Sequence, residues 1–174
     1  QMDKVVSSGL CDNASEFIVG VNGGRESEWE AGSVIPSKAS LVYHGLESRS
    51  ECLTIVAIQK FAKEFPGEAF VCYAHSKGAT HPPDSAYGNG MSAPWRRAMM
   101  QDVVLNWRRC IIDLHNGAEL CCSRWMTGMA DGSQNIVAGN IWFARKSFLA
   151  RVPSMFLRER IKMSGIASLE SRYE

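Results

Sequence analysis

Ala69-Phe70-Val71-Cys72-Tyr73-Ala74-His75-Ser76-Lys77-Gly78 is the stretch on which the fold turns. Ala69 to Tyr73 is a continuous apolar run, the pattern of a strand buried on both faces inside a sheet. The polar His75-Ser76-Lys77-Gly78 ends it abruptly. Just upstream, Ser48 and Glu51 have the spacing of a capping box, and Ile55, Ile58, Ala62 and Phe65 follow at helical spacing until Pro66-Gly67. Farther upstream, Glu16 to Val21 is a short apolar run between Asp12-Asn13 and Asn22-Gly23-Gly24, predicting a buried strand that ends in a glycine turn. Ser40 to Tyr43 is a second, shorter strand candidate. Strand, helix, strand is the resulting order, and it places the chain in the α/β class.

Downstream, residues 79–94 combine Pro82, Pro83 and Pro94 with Gly88 and Gly90, a connection too long and polar for a simple turn. Ser92 and Pro94 suit the start of a long helix. Its apolar stripe is Met100, Val103, Trp107, Cys110 or Ile111, and Leu114, and it ends near Asn116-Gly117. Leu120 to Ser123 predicts a strand, Thr127 to Gln134 a turn, Ile136 to Ala144 an extended segment, and Lys146 to Val152 a helix stopped by Pro153. Arg158, Arg160, Lys162 and Arg172 read as a solvated helix face. The first residues, with Met2, Val5 and Val6 before Gly9, read as the end of a helix, so the expectation is a fragment of a longer domain.

A chain of 174 residues, 45% hydrophobic and 21% charged, suits one core, and one domain over residues 1–174 is expected. The formal net charge of +1 supplies no field that would gather nucleic acid, so nucleic acid is not an expected partner. No run approaches the roughly 18 apolar residues of a membrane span, and no signal-peptide core is visible, so a cytoplasmic protein without a membrane span is expected. Cys11, Cys52, Cys72, Cys110, Cys121 and Cys122 contain no C-x-x-C pair, and reduced cysteines are the expected state. Cys110, His115, Cys121 and Cys122 are close enough in sequence for a metal cluster to be considered, though adjacent cysteines suit tetrahedral ligation poorly.

Chemistry is expected where the buried strand ends, because open α/β sheets bind ligands at the carboxyl ends of their strands. There His75 can donate, accept or ligate, Lys77 offers a positive charge for a phosphate, and Gly78 permits a sharp turn. The bland alternative leaves His75 as a loop residue and Lys77 in water. Trp95-Arg96 opens the long helix, where an aromatic plane and a guanidinium can hold an anionic or sugar-bearing ligand, or simply pack and face solvent. Gly139-Asn140-Ile141-Trp142 puts an amide and an indole into an otherwise apolar strand, which fits a carbohydrate site or a bulge with a satisfied Asn. No G-x-G-x-x-G, Walker loop or G-x-S-x-G occurs, so Ser76 is not expected to be a nucleophile.

Taken in order, Tyr73-Ala74-His75-Ser76-Lys77-Gly78, Trp95-Arg96 with Met99, and Gly139-Asn140-Ile141-Trp142-Phe143-Ala144 resemble a family of small glycosyltransferase-like proteins with a GT-A type fold. In that family a strand ends in Y-x-H-T-K-G, a W-R-x-x-M helix follows, and a later S-G-N-F-W-W-A segment closes the site. Ser76 replaces the usual threonine, and Ala138, Ile141 and Phe143 also depart from the pattern. The resemblance, from Ser7 to Pro153, implies a three-layer α/β/α fold with a mixed, mostly parallel sheet lacking its first strand. It implies sugar transfer from a nucleotide-sugar donor to a saccharide or glycoconjugate acceptor.

On that resemblance His75, Ser76, Lys77, Gly78, Trp95, Arg96, Gly139, Asn140 and Trp142 bind donor and substrate. Lys77 and Arg96 neutralise the leaving diphosphate, while Asn140 and Trp142 hold a sugar ring. Asp131, Glu170 and Glu174 are candidates for the base. The cofactor implied is a manganese or magnesium ion, but the chain has no D-x-D pair, and no metal ligand is assigned from sequence. The alternative is a catalytically inactive carbohydrate- or partner-binding module on the same fold. Oligomeric state is left open.

Overall fold

A computed structural model describes residues 2–21, 35–43, 52–75, 92–126, 136–137 and 141–152. Among these the chain is mixed α/β. It divides into two compact units, residues 1–14 with 68–148, and residues 15–67 with 149–174.

In the second of these units, β1 (Phe17–Val21) and β2 (Ala39–Tyr43) pair in parallel, Phe17 opposite Ala39 through Val21 opposite Tyr43. The strand expected over residues 16–21 is present, but it is not buried on both faces. Val21 is buried while Ile18 is 59% exposed, because alternate side chains of a strand point to opposite faces. The helix expected before Pro66 is α3, Cys52–Glu64, numbered after the two N-terminal helices described below. Its inward side includes Ala62, as the periodicity indicates, and also Gln59. Burial of that amide is offset by a hydrogen bond from Gln59 Nε2 to the Val152 carbonyl at 2.5 Å. Gly67 takes φ +89°, the left-handed conformation that lets the chain turn after the helix.

The other unit begins with two short helices, α1 (Met2–Ser7) and α2 (Leu10–Asn13), separated at Gly9 with φ +72°. Its centre is a three-stranded sheet of β3 (Phe70–Tyr73), β7 (Trp142–Arg145) and β4 (Leu120–Cys122), with β7 in the middle and antiparallel to both neighbours. A short antiparallel pair joins β5 (Trp125–Met126) to β6 (Ile136–Val137). Two corrections follow. The run ending at Tyr73 was expected inside the sheet, yet among the described residues it pairs only through β7. The sheet was expected to be mostly parallel, whereas of the described ladders only β1 with β2 is parallel. Burial is also partial, since Phe70, Val71 and Cys72 are half-buried and only Tyr73 is buried; an apolar run carries no record of strand direction.

The long helix expected from Ser92 exists in three parts: α4 (Ser92–Met99), a π-helical segment (Met100–Leu105) and α5 (Trp107–His115). The wide turn closes with Asn106 N–H donating to Gln101 O at 3.2 Å, five residues back. Met99, Met100, Val103, Val104, Cys110 and Leu114 are buried, so the stripe read from sequence is the core-facing side. Gly117 ends α5 with φ +104°. Its N–H bonds Leu114 O, and the N–H of Ala118 bonds Asp113 O, the Schellman pattern expected of an Asn-Gly stop. Lys146–Arg151 forms α6 directly after β7.

Candidate functional site

Register assigns the faces of the three-stranded sheet. Tyr73, Trp142 and Cys122 are directly opposite one another, and Cys72, Phe143 and Cys121 form the next row on the other face. The contacts of α5 identify the face it covers. Cys110 meets Cys121, His115 sits edge-on to Phe70 with centroids 4.8 Å apart, and Arg145 donates to the Leu114 carbonyl. Phe70, Cys72, Phe143, Arg145 and Cys121 therefore all look toward α5.

The opposite face carries the aromatic residues singled out by sequence. Tyr73 lies against Trp142 with centroids 5.3 Å apart, and its ring stacks on His75 at 5.9 Å with an interplanar angle of 8°. Tyr73 is 4% exposed and Trp142 7%, whereas His75 is half-buried. Trp142 is thus a backing residue in this stack, and His75 is the member that reaches toward solvent. Trp95 and Arg96 are half-buried in α4, which runs directly into the π-helical segment. Ser76, Lys77, Gly78, Gly139, Asn140, Asp131, Glu170 and Glu174 lie outside the described residues.

One carboxylate that sequence reasoning passed over stands at the same edge. Because β3 and β4 both run antiparallel to β7, their carboxyl ends emerge together, about 10 Å apart across the central strand. Ser123, just after β4, donates from its hydroxyl to Asp102 Oδ2 at 2.6 Å. Asp102 belongs to the π-helical segment, a local geometry often found at functional sites. Only its charge within an apolar stretch could have drawn notice.

An open cleft of about 730 Å³ lies at the other side of β4, lined by Asp113, Asn116, Glu119, Cys121, Cys122 and Phe148 among others. Cys121 and Cys122 line it, but His75, Trp95, Arg96 and Trp142 do not. Among the described residues no group of three or more His, Cys, Asp or Glu could hold a metal ion. In particular, the grouping of Cys110, His115, Cys121 and Cys122 considered from sequence is not assembled: Cys122 follows Cys121 in β4 and projects from the opposite face, and the His115 ring packs edge-on to Phe70. Three thiols on these strands and α5 are raised above their ordinary value. Burial pushes the Cys72 thiol up to about 12; burial and then the neighbouring Cys121 push Cys110 up further, and the same causes raise Cys122. No helix among the described residues is long and apolar enough to cross a membrane.

A family model described as a domain of unknown function, DUF8361, matches residues 22–170. The chain belongs to the DUF8361 family. No curated protein and no solved structure matches it. The DUF8361 match includes His75, the π-helical segment and Trp142, so the aromatic stack and Asp102 lie within the family's own region.

Proposed function

We propose that this DUF8361 chain is a glycosyltransferase-like domain of GT-A type, moving a sugar from a nucleotide-sugar donor to a saccharide or glycoconjugate acceptor. The observation that carries the reading is the stack of His75 on Tyr73, backed by Trp142, where β3 runs out toward Lys77. Buried aromatic neighbours hold the imidazole in one orientation, and its exposed side offers an aromatic face and a hydrogen-bonding edge to a base or a sugar.

In the transfer, the bond between the anomeric carbon and the donor diphosphate breaks as the acceptor oxygen bonds to that carbon. Lys77 and Arg96 neutralise charge on the departing diphosphate, and Ser76 and Gly78 let backbone approach it. Asn140 hydrogen-bonds the sugar, with Gly139 giving room, and Trp95 packs beside Arg96. The acceptor proton goes to a carboxylate. Asp131, Glu170 and Glu174 are joined as candidates by Asp102, which the topology brings to the carboxyl edge of β4 and whose Ser123 partner holds it in place. A manganese or magnesium ion is tested alongside.

Calorimetric titration of UDP, GDP and their sugar conjugates, with and without manganese, tests the reading. Binding of one nucleotide is expected, weakened roughly tenfold or more by Lys77→Ala, the loss of about one charge-assisted contact. Saccharide binding without nucleotide binding or turnover would instead support the inactive carbohydrate-binding module. Silence from every nucleotide under both metal conditions would overturn the transferase reading.

A further inference from the structure

Cys110 and Cys121 present their Sγ atoms to each other at 2.7 Å, both as free thiols. They come from different elements, Cys110 from the inward side of α5 and Cys121 from β4, on the sheet face that α5 covers. We infer that Cys110 and Cys121 form a reversible disulfide by exchange with a small-molecule disulfide such as oxidised glutathione. This stands independently of the sugar-transfer reading.

The surroundings select this pair over the other cysteines. Cys122 follows Cys121 in a strand, so its side chain projects from the opposite face. Cys72 shares the face but lies across β7, about 10 Å from Cys121 between backbones. Cys110 is 1% exposed and cannot meet a solute first. Cys121 can, because it is half-buried and lines the open cleft. A bond length of about 2.05 Å is then reached by a small closing movement of α5 toward β4.

The chemistry has two steps. The Cys121 thiolate attacks one sulfur of oxidised glutathione, giving a mixed disulfide at Cys121 and releasing one glutathione thiolate. The Cys110 thiol, giving its proton to the glutathione thiolate already released, then attacks the Cys121 sulfur and expels the second. Two protein thiols are oxidised, one glutathione disulfide is reduced to two thiols, and the two thiol protons pass to the departing glutathiones. The bond pins α5 to β4 beside Asp102, whose main-chain oxygen lies 3.9 Å from Cys110 Sγ and whose carboxylate is held by Ser123.

The test equilibrates the full chain in buffers spanning reduced to oxidised glutathione, blocks free thiols by alkylation, and maps peptides without reduction after cleavage at Glu119, which separates Cys110 from Cys121. A Cys110–Cys121 link is expected in wild type and Cys122→Ser, reversed by reduced glutathione, and absent in Cys121→Ser with Cys110 then fully alkylatable after unfolding. Circular dichroism confirms that each variant is folded. Cys110 remaining alkylatable after unfolding at every glutathione ratio would overturn the inference. So would Cys121 halting as the glutathione adduct, or a link from Cys110 to any other cysteine in wild type.

Discussion

Arg145 Nε donates to the Ala118 carbonyl at 3.0 Å and Nη2 donates to that of Leu114, while the guanidinium carbon sits 5.9 Å from the centroid of Phe70. One side chain thus satisfies carbonyls at the end of α5 and in the turn after it, where a helix leaves acceptors unpaired and favours a cation. Nothing in the sequence distinguishes Arg145 from any other arginine, since its partners are about thirty residues away along the chain. Arg145→Met keeps the aliphatic stem and removes both donors, so it is expected to cost about 3 kcal/mol, two hydrogen bonds from a charged donor. Thermal unfolding checks this, with Tm expected to fall by roughly 6–12 °C for a chain of this size. His75 and Trp142 differ in this respect. Their residue types at the end and start of apolar runs made them legible as site candidates, but not that Trp142 would be buried behind Tyr73.

At the scale of elements, α1 and α2 are too short to be helical alone, and packing must supply what local propensity does not. Val5 and Cys11 are buried, and Trp107 Nε1 of α5 donates to the Ser8 carbonyl at 3.0 Å. Trp107→Phe keeps most of the ring and removes that bond, at a cost of about 1 kcal/mol. Hydrogen exchange is expected to quicken roughly fivefold in α1 and α2 and to leave β3 and β7 unchanged. The N-terminal helix, the Gly9 stop and the Asn116-Gly117 stop were legible because each rests on short-range chemistry. The π-helical interruption was not. The apolar positions from Met100 to Leu114 fall at ordinary α-helical spacing, so nothing in them marks a turn that takes an extra residue.

Over the whole molecule, buried thiols tie stability to alkaline pH. Cys72 rises from an ordinary value of 9.0 to about 12 when folded. Between those values the unfolded chain has lost this proton and the folded chain keeps it, so the unfolded state binds fewer protons and stability falls as pH rises. Cys72 alone contributes about 1.4 kcal/mol per pH unit, fully present below about pH 9. Cys110 acts in the same direction. Urea denaturation from about pH 8 to pH 10.5 should show this decline, and Cys72→Ala should make it shallower, the part due to Cys110 remaining. The α/β class, the strands at Val21 and Tyr73 and the helix at Ala62 were determined by sequence alone, because hydrophobic period and stop signals are local properties of the chain. Only the tertiary structure decided that β7 enters antiparallel between β3 and β4, that Asp102 meets Ser123, and that Cys110 faces Cys121. Those pairings join residues far apart along the chain, and strand direction and helix placement leave no period in the sequence.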